Sequence, residues 1–345
     1  MVQSSSTQQS PHNSDSTNRL SLLEQWLCQI LHTPSLAITP LLKEASRRTY
    51  YRVKTPSTSY VAMDAPPELE DCQPFIQMTE ALTKHHISVP KIHHQNLPSG
   101  FLLLSDFGDR LLLNQLDSST VDQYYHQAMN ILINIHHCKG HQEYTPFHSD
   151  PTYWKRELEG FITRYVEYRH QYNLSSSDRM VWENLQDILT TNATQQPQVL
   201  IHKDFHSRNL MCLTDDMLGV LDYQDALFGP ITYDIASLLN DCYIDWPRAR
   251  TEQWCAIFQY KLEQAKLLPQ KTSKQFLEWF DLTSLQRHLK NLGNFVRLSE
   301  QQQQAQFLTY LPRMHQYIES ICQRYSELHP FLDWFQSIHQ QESTS

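Results

Sequence analysis

Apolar positions along the first hundred residues fall into short runs with two different periods. Leu20, Leu23, Leu27, Ile30 and Leu31 recur at helical spacing with Trp26 beside them, which predicts a helix starting near Arg19 and capped by Thr17 or Asn18. TYYRV (49–53) and SYVAM (59–63) are β-branched and aromatic and flank the turn-forming KTPST, so they predict a hairpin. PFIQMTEALTKHH (74–86) reads as a helix, VPKI leads into a strand, and GFLLLSDFG (100–108) is a short apolar strand with a polar exit. Small helices alternating with antiparallel strands predict an α+β lobe over residues 19–105.

From about Leu111 the pattern turns helical. VDQYYHQAMNILINIHH (121–137) places Tyr125, Met129, Leu132 and Ile135 on one stripe, and residues 153–172 and 177–192 form two further amphipathic candidates. QVLIH (198–202) is a strand, residues 210–223 read as a hairpin turning at Thr214–Met217, and the chain is helical again after Pro230. The organisation expected is a tail at 1–18, a small lobe at 19–105, a larger helical lobe at 106–338 and a second tail at 339–345. The first eighteen residues carry almost no apolar side chains, so they have nothing to bury and no signal-peptide core.

Composition narrows the function. Lys and Arg number 28 against 37 Asp and Glu, a net charge of −9, which disfavours a general nucleic-acid binder. No two of the seven glycines form G-x-G and none precedes Lys, so neither a dinucleotide fingerprint nor a Walker A loop is present. The seven cysteines are scattered and form no C-x-x-C, as expected of reduced thiols in a cytoplasmic protein. No apolar run approaches the ~20 residues a membrane span needs.

The segment that carries chemistry is LIHKDFHSRNLMCLTDDMLGVLDYQDA (200–226). It contains His202, Asp204, Asn209 and Asp222, an H-x-D-x-x-x-x-N pattern followed by a further Asp. This is the catalytic-loop and metal-carboxylate spacing of protein-kinase-like enzymes, expected by chance in roughly two chains per thousand of this composition. Phosphoryl transfer asks little covalent chemistry of the protein; it needs Mg²⁺ to neutralise a triphosphate and a carboxylate aimed at the attacking hydroxyl. Asn209 and Asp222 are the expected Mg²⁺ ligands, and Asp204 the group that accepts the substrate proton. Asp106-Phe107-Gly108 also reads D-F-G, but it lies about a hundred residues before the loop and is read as a hinge.

At these residues the chain resembles the aminoglycoside phosphotransferase and choline kinase-like families. Their downstream Tyr-Asp-Leu-Ala appears here as Tyr-Asp-Ile-Ala, and the resemblance makes Asp234, with His202, a support of the catalytic loop. HKDFHSRNLM, GVLDYQDALFGPITYDIASLLNDCYIDWP and LQRHLKNLGNFVRL look very like the subgroup that phosphorylates N-acetylmuramate and N-acetylglucosamine, as do SRRTYYRV, AMDAPPELEDCQPF, GFLLLSDFGD and YLPRMHQYI. The similarity spans about residues 19–320. It implies a two-lobed α+β kinase-like fold that uses ATP and Mg²⁺ to phosphorylate the anomeric C1 hydroxyl of an amino sugar in cell-wall sugar salvage.

Departures from the wider family shape further expectations. Met63 stands where a third-strand Lys is usual and no glycine loop is present, so Arg47 or Arg48 is the candidate for the missing charge. Glu80 lies on the helix that would carry a partner for that Lys. Adenine is expected against the link near Leu103–Asp106, through Leu104 and Ser105. Arg208 is placed to neutralise the transferred phosphoryl; Asp241, Tyr243 and Trp246 to hold the sugar; and Arg287 and Lys290, three apart on a helix, to meet the lactyl carboxylate. His206 reads as a structural loop residue, and Lys203 stands where protein kinases have Arg. The partner is a small molecule, with no nucleic acid and no membrane; monomer and dimer both stay open. Two other readings compete: phosphorylation of an aminoglycoside or other small alcohol, and a catalytically inactive scaffold. Intact Asp204, Asn209 and Asp222 oppose the scaffold.

Overall fold

The first run of strands becomes one antiparallel sheet. In the computed structural model, residues 12–41, 48–141, 145–269, 273–301 and 303–340 are described, the side chains of 12–17, 301 and 340 excepted. Helix α1 (His12–Ile30) is followed by β1 (Ala37–Pro40), β2 (Thr49–Lys54), β3 (Ser59–Asp64), β4 (Ile92–Asn96) and β5 (Phe101–Ser105), with sheet order β1-β2-β3-β5-β4. The expected hairpin is β2–β3, in register from Thr49 opposite Asp64 to Lys54 opposite Ser59, and Thr55 N donates to Thr58 O at 2.9 Å across its turn.

Leu23 and Leu27 of α1 pack with Val53, Ala62, Phe101 and Leu103, and Trp26 lies 5.8 Å from the Phe101 ring. Arg19 ties the helix to the sheet by pairing with Asp64 and donating to Ser99 O at 2.8 Å. The helix begins at His12, inside the stretch read as a tail. Once the Leu20–Leu31 face nucleates a helix, each added residue gains a hydrogen bond at little cost.

Asp106 closes the end of this unit: its Oδ2 lies 2.7 Å from Arg52 Nε and accepts from Ser59 Oγ at 2.6 Å. The Asp of the D-F-G triplet is thus held within the first unit.

Contacts divide the chain into Met1–Gln73 with Pro90–Asp106, and Pro74–Val89 with Phe107–Ser345. The second unit therefore takes nearly all of α2 (Gln73–Lys84), which the sequence reading had placed in the small lobe. The reason is packing: Phe75 stacks on Tyr223 at 5.2 Å, Thr79 Oγ1 bonds the Tyr223 hydroxyl at 2.8 Å, and Val220 N donates to Ser88 O at 2.8 Å.

The remaining elements are α3 (Val121–His137), α4 (Pro151–Gly160), α5 (Ser176–Gln195), β6 (Gln198–Ile201), β7 (Leu210–Cys212), β8 (Leu218–Val220), β9 (Leu227–Pro230), α6 (Tyr233–Leu239), α7 (Arg248–Gln264), α8 (Ser273–Gln301), α9 (Leu311–Cys322) and α10 (His329–Gln340). Strand β6 pairs with β9, and β7 with β8. One apolar cluster gathers α4, α5, α8, α9 and α10 around Phe161, Leu289 and Phe335.

The sequence predicts one helix over 153–172; instead α4 stops at Gly160 and a π-helical segment, Phe161–Arg169, follows. Gly160 meets Gly293 of α8 there, a backbone approach too close for a Cβ on Gly293. All seven cysteines are unpaired; Cys28 on α1 is half-buried and the other six are buried. No helix among the described residues is long and apolar enough to cross a membrane.

Candidate active site

The site grows from the end of β6. Ile201 closes that strand, and the next two backbone N–H groups, of His202 and Lys203, donate to the two oxygens of Asp234 at 2.7 and 3.0 Å. Asp234 lies in the first turn of α6 and is fully buried, so burial pushes its carboxyl up while the two N–H groups and nearby cations oppose the shift. His202 Nε2 donates to Leu221 O at 2.8 Å, and its Nδ1 accepts from Asp204 N at 3.3 Å, a pair of bonds that one neutral tautomer satisfies. Lys203 between them takes a left-handed backbone, φ 80°. The turn throws consecutive side chains, Lys203 and Asp204, out of the strand direction.

Asn209 fixes the other end of the loop. Its Nδ2 donates to Asp204 O at 2.9 Å and to Asp222 Oδ2 at 3.4 Å, and Leu221 N returns a bond to Asn209 O at 2.9 Å. Asp222 follows β8 with φ 63°, is exposed, and accepts from Gln224 Nε2 at 2.7 Å. Asn209 thus turns its amide N–H toward both acceptors, and it is Nδ2 that meets the Asp222 carboxylate.

The charges around Asp204 come from three elements. Burial pushes its carboxyl up, but Lys290, Arg287, His206 and Lys203 more than offset this and hold it well below the usual carboxylate range. Arg287 on α8 donates to Lys203 O at 2.8 Å, and its guanidinium lies 4.7 Å from the centre of the Tyr233 ring. Lys290, one turn on, lies 3.1 Å from Glu157 Oε2 and donates to the Tyr233 hydroxyl at 3.4 Å. Lys203 Nζ is 3.9 Å from the same Glu157 oxygen and 5.7 Å from the centre of the Tyr153 ring. Burial opposes the charge on Lys290, yet Tyr233, Asp204 and Glu157 raise its pKa, so it stays protonated. Burial holds His206 down, against the opposing pull of Asp241 and Asp204.

Sequence reasoning brings Asp204, Asn209, Asp222, His202, Asp234, Arg287 and Lys290 to this one place. It misses Glu157, Tyr153 and Tyr233. Tyr153 and Glu157 are four apart on α4 and share its face, but nothing in the sequence ties that face to the loop.

Other candidates are engaged elsewhere. Asp241 is buried; its Oδ2 accepts from Ser207 N at 3.0 Å and Ser207 Oγ at 2.5 Å and so braces the loop, while its Oδ1 accepts from Tyr243 N at 2.9 Å. Tyr243 packs against His206, Phe295 and Tyr310, with the Arg208 guanidinium 4.9 Å from its ring centre. Trp246 Nε1 donates to the Tyr125 hydroxyl at 3.0 Å.

In the first unit, buried Arg48 pairs with Glu70 at 3.1 Å, and Met63 is completely buried in register with Tyr50 and Leu102. Arg47 lies outside the described residues. Leu104 is buried on β5, and Ser105 N donates to Lys91 O at 2.9 Å, so that N–H serves the sheet. Glu80 pairs with His141 at 3.1 Å.

Residues 37–268 match the sequence model of the phosphotransferase enzyme family, APH. The chain belongs to this family. This phosphotransferase is 34% identical over 295 residues to the N-acetylmuramate/N-acetylglucosamine kinase of Pseudomonas aeruginosa, covering 86% of both chains. It is 32% identical over 320 residues to the protein of the same name from Pseudomonas putida, covering 90% of this chain and 94% of that one. Among solved structures, choline kinase LicA from Streptococcus pneumoniae aligns with TM-score 0.61 at 13% identity, over 88% of this chain and 99% of that one. ADP-bound aminoglycoside phosphotransferase APH(2'')-Ib aligns with TM-score 0.58 at 13% identity, over 86% and 97%. These likenesses establish the expected α+β, protein-kinase-like fold.

Proposed function

We propose that the chain is a Mg²⁺- and ATP-dependent kinase of the cytoplasm that phosphorylates the anomeric C1 hydroxyl of N-acetylmuramate and N-acetylglucosamine. The observation that carries this reading is the loop geometry: Asp204 held between the Asp234 brace and the Asn209–Asp222 pair, in a chain similar over 86–90% of its length to proteins named N-acetylmuramate/N-acetylglucosamine kinase.

Asp204 stays ionised and accepts the hydroxyl proton as the new bond from the sugar oxygen to the γ-phosphorus of ATP forms and the bond from that phosphorus to the β,γ-bridging oxygen breaks, releasing ADP. Its low pKa makes it a weak base, which suits an anomeric hydroxyl, more acidic than an ordinary alcohol because the ring oxygen withdraws electrons. Most of the rate then comes from orientation and charge complementarity. His202 and Asp234 hold the loop, and Asp241 anchors it through Ser207.

Asn209 Oδ1 and the Asp222 carboxylate are hard oxygen donors that fit Mg²⁺, which keeps few protein ligands and shares the rest with phosphate. Among the described residues no group of three or more His, Cys, Asp or Glu is arranged to hold a metal. Bound there, Mg²⁺ would neutralise the triphosphate. Three cations around Asp204 oppose a polycationic acceptor such as an aminoglycoside.

The test is Mg·ATP turnover with N-acetylmuramate, N-acetylglucosamine, glucosamine and kanamycin, followed by ³¹P NMR. An anomeric phosphate that disappears in Asp204→Ala is the expected result. Phosphate on another hydroxyl, or binding of Mg·ATP without transfer to any acceptor, overturns the reading.

A further inference from the structure

Three cations stand around Asp204, more positive charge than one carboxylate balances, and each lowers its affinity for a proton. Their presence calls for negative charge that arrives with a substrate. Two of the three are already committed within the protein. Arg287 is buried and spends its guanidinium on Lys203 O and the Tyr233 ring. Lys290 is engaged by Glu157 at 3.1 Å and by the Tyr233 hydroxyl at 3.4 Å.

Lys203 differs. Its ammonium stands 3.9 Å from Glu157, beyond hydrogen-bond length, and its side chain keeps 20% of its surface exposed. The left-handed backbone at Lys203, with its carbonyl pinned by Arg287 and its N–H by Asp234, fixes where the stem departs. Glu157 holds the two ammoniums together: one carboxylate oxygen faces both lysines.

We propose that Lys203 is the specificity-determining residue that binds the carboxylate of an acidic acceptor sugar, with Glu157 occupying the ammonium when the acceptor is neutral. This rests on the kinase reading above and names the acceptor class that the site favours. Lys203 and Asp204 are consecutive, with Cα atoms about 3.8 Å apart. A hexose that offers its hydroxyl to Asp204 would therefore bring a carboxylate arm into the neighbourhood of Lys203. Arg287 and Lys290, the carboxylate ligands expected from the sequence, become supports for the loop and for Glu157.

The experiment compares kcat/KM for N-acetylmuramate, which carries a lactyl carboxylate, with that for N-acetylglucosamine, which does not. In Lys203→Met the ratio of the two falls ten- to a hundred-fold, through KM for the acidic sugar; Lys203→Arg restores most of it. In Glu157→Gln the ratio moves the other way, because the ammonium loses its internal partner. Lys155→Met, an exposed cation of the same α4 helix paired with Asp187, leaves the ratio unchanged. If Lys203→Met folds poorly, Glu157→Gln alone decides the sign. An unchanged ratio in Lys203→Met, or an equal fall in kcat on both sugars, overturns the proposal; the second result assigns the charge to the phosphoryl group. Wild-type protein inactive on both sugars sinks the kinase reading itself, a distinct outcome.

Discussion

Gly160 and Gly293 face each other where α4 crosses α8, yet substituting them has opposite consequences. A Cβ on Gly293 falls inside contact distance of the Gly160 carbonyl and 2.8 Å from Phe161 N. All of these are backbone atoms, so no rotamer change relieves the overlap and the helices must separate by roughly 1 Å, an overpacking cost near the upper end of ~1–3 kcal/mol. Alanine returns about 1 kcal/mol of helix propensity. Gly293→Ala is therefore expected to destabilise by about 2 kcal/mol net, a fall in Tm of roughly 4–8 °C for a unit of this size. A Cβ on Gly160 instead meets the end of the flexible Arg164 side chain at 3.3 Å and Gly293 Cα at 3.7 Å. Gly160→Ala should leave Tm unchanged or raise it by up to ~4 °C. Calorimetry on both variants reads the difference. Activity gives a second readout, because Glu157 and Lys290 each sit one turn before these glycines and separation of the helices stretches their 3.1 Å pair. Equal losses in the two variants, or a gain in Gly293→Ala, would refute the geometry argued for this crossing.

Three further outcomes are expected. Burial holds His136 down to about 4 and both His288 and His315 down to about 3, below the ~6.5 of an unfolded chain. The unfolded state then binds more protons between these values, so stability is full above pH ~7 and is lost as pH falls; from pH 7.5 to 5.5 the three together cost about 4 kcal/mol, and urea melts at the two pH values measure it. Asp241→Ala strands the buried donors of Ser207 and Tyr243 and should cost on the order of 3 kcal/mol together with a fall in kcat; an unchanged Tm would show that water replaces the carboxylate. Glu80 is 54% exposed and pairs with His141, so Glu80→Gln should change kcat/KM by less than about two-fold, and a ten-fold loss would restore the role that protein kinases give this helix.

The site was legible where its parts are close in sequence. His202, Asp204, Asn209 and Asp222 lie within one strand–loop–hairpin segment, so their spacing alone encodes their convergence. Glu157 and Tyr153 arrive from a helix some 47 residues earlier, in an amphipathic pattern that any core helix would show. Asp241 illustrates a different limit. A carboxylate after a helix reads equally as sugar ligand or loop anchor, and only the Ser207 and Tyr243 donors around it decide.

In the fold, the β2–β3 hairpin and the long helices carry enough periodic positions to be read. Strands β1 (AITP) and β9 (LFGP), four residues each, do not. Helix α2 was recognised as a helix but assigned to the neighbouring lobe, because its partner Tyr223 lies 144 residues beyond Thr79. Arg287 and Lys290 read as a basic pair from their spacing on one helix; the packing of α8 is what brings them to Asp204.

The thiol inventory has a practical consequence. With six cysteines sealed in the interior and only Cys28 on α1 partly open, a maleimide reagent meets the native protein at a single address. Labelling stoichiometry, read by intact mass, therefore becomes a census of opening: one adduct marks the folded chain, and each additional adduct marks a molecule whose interior has come apart.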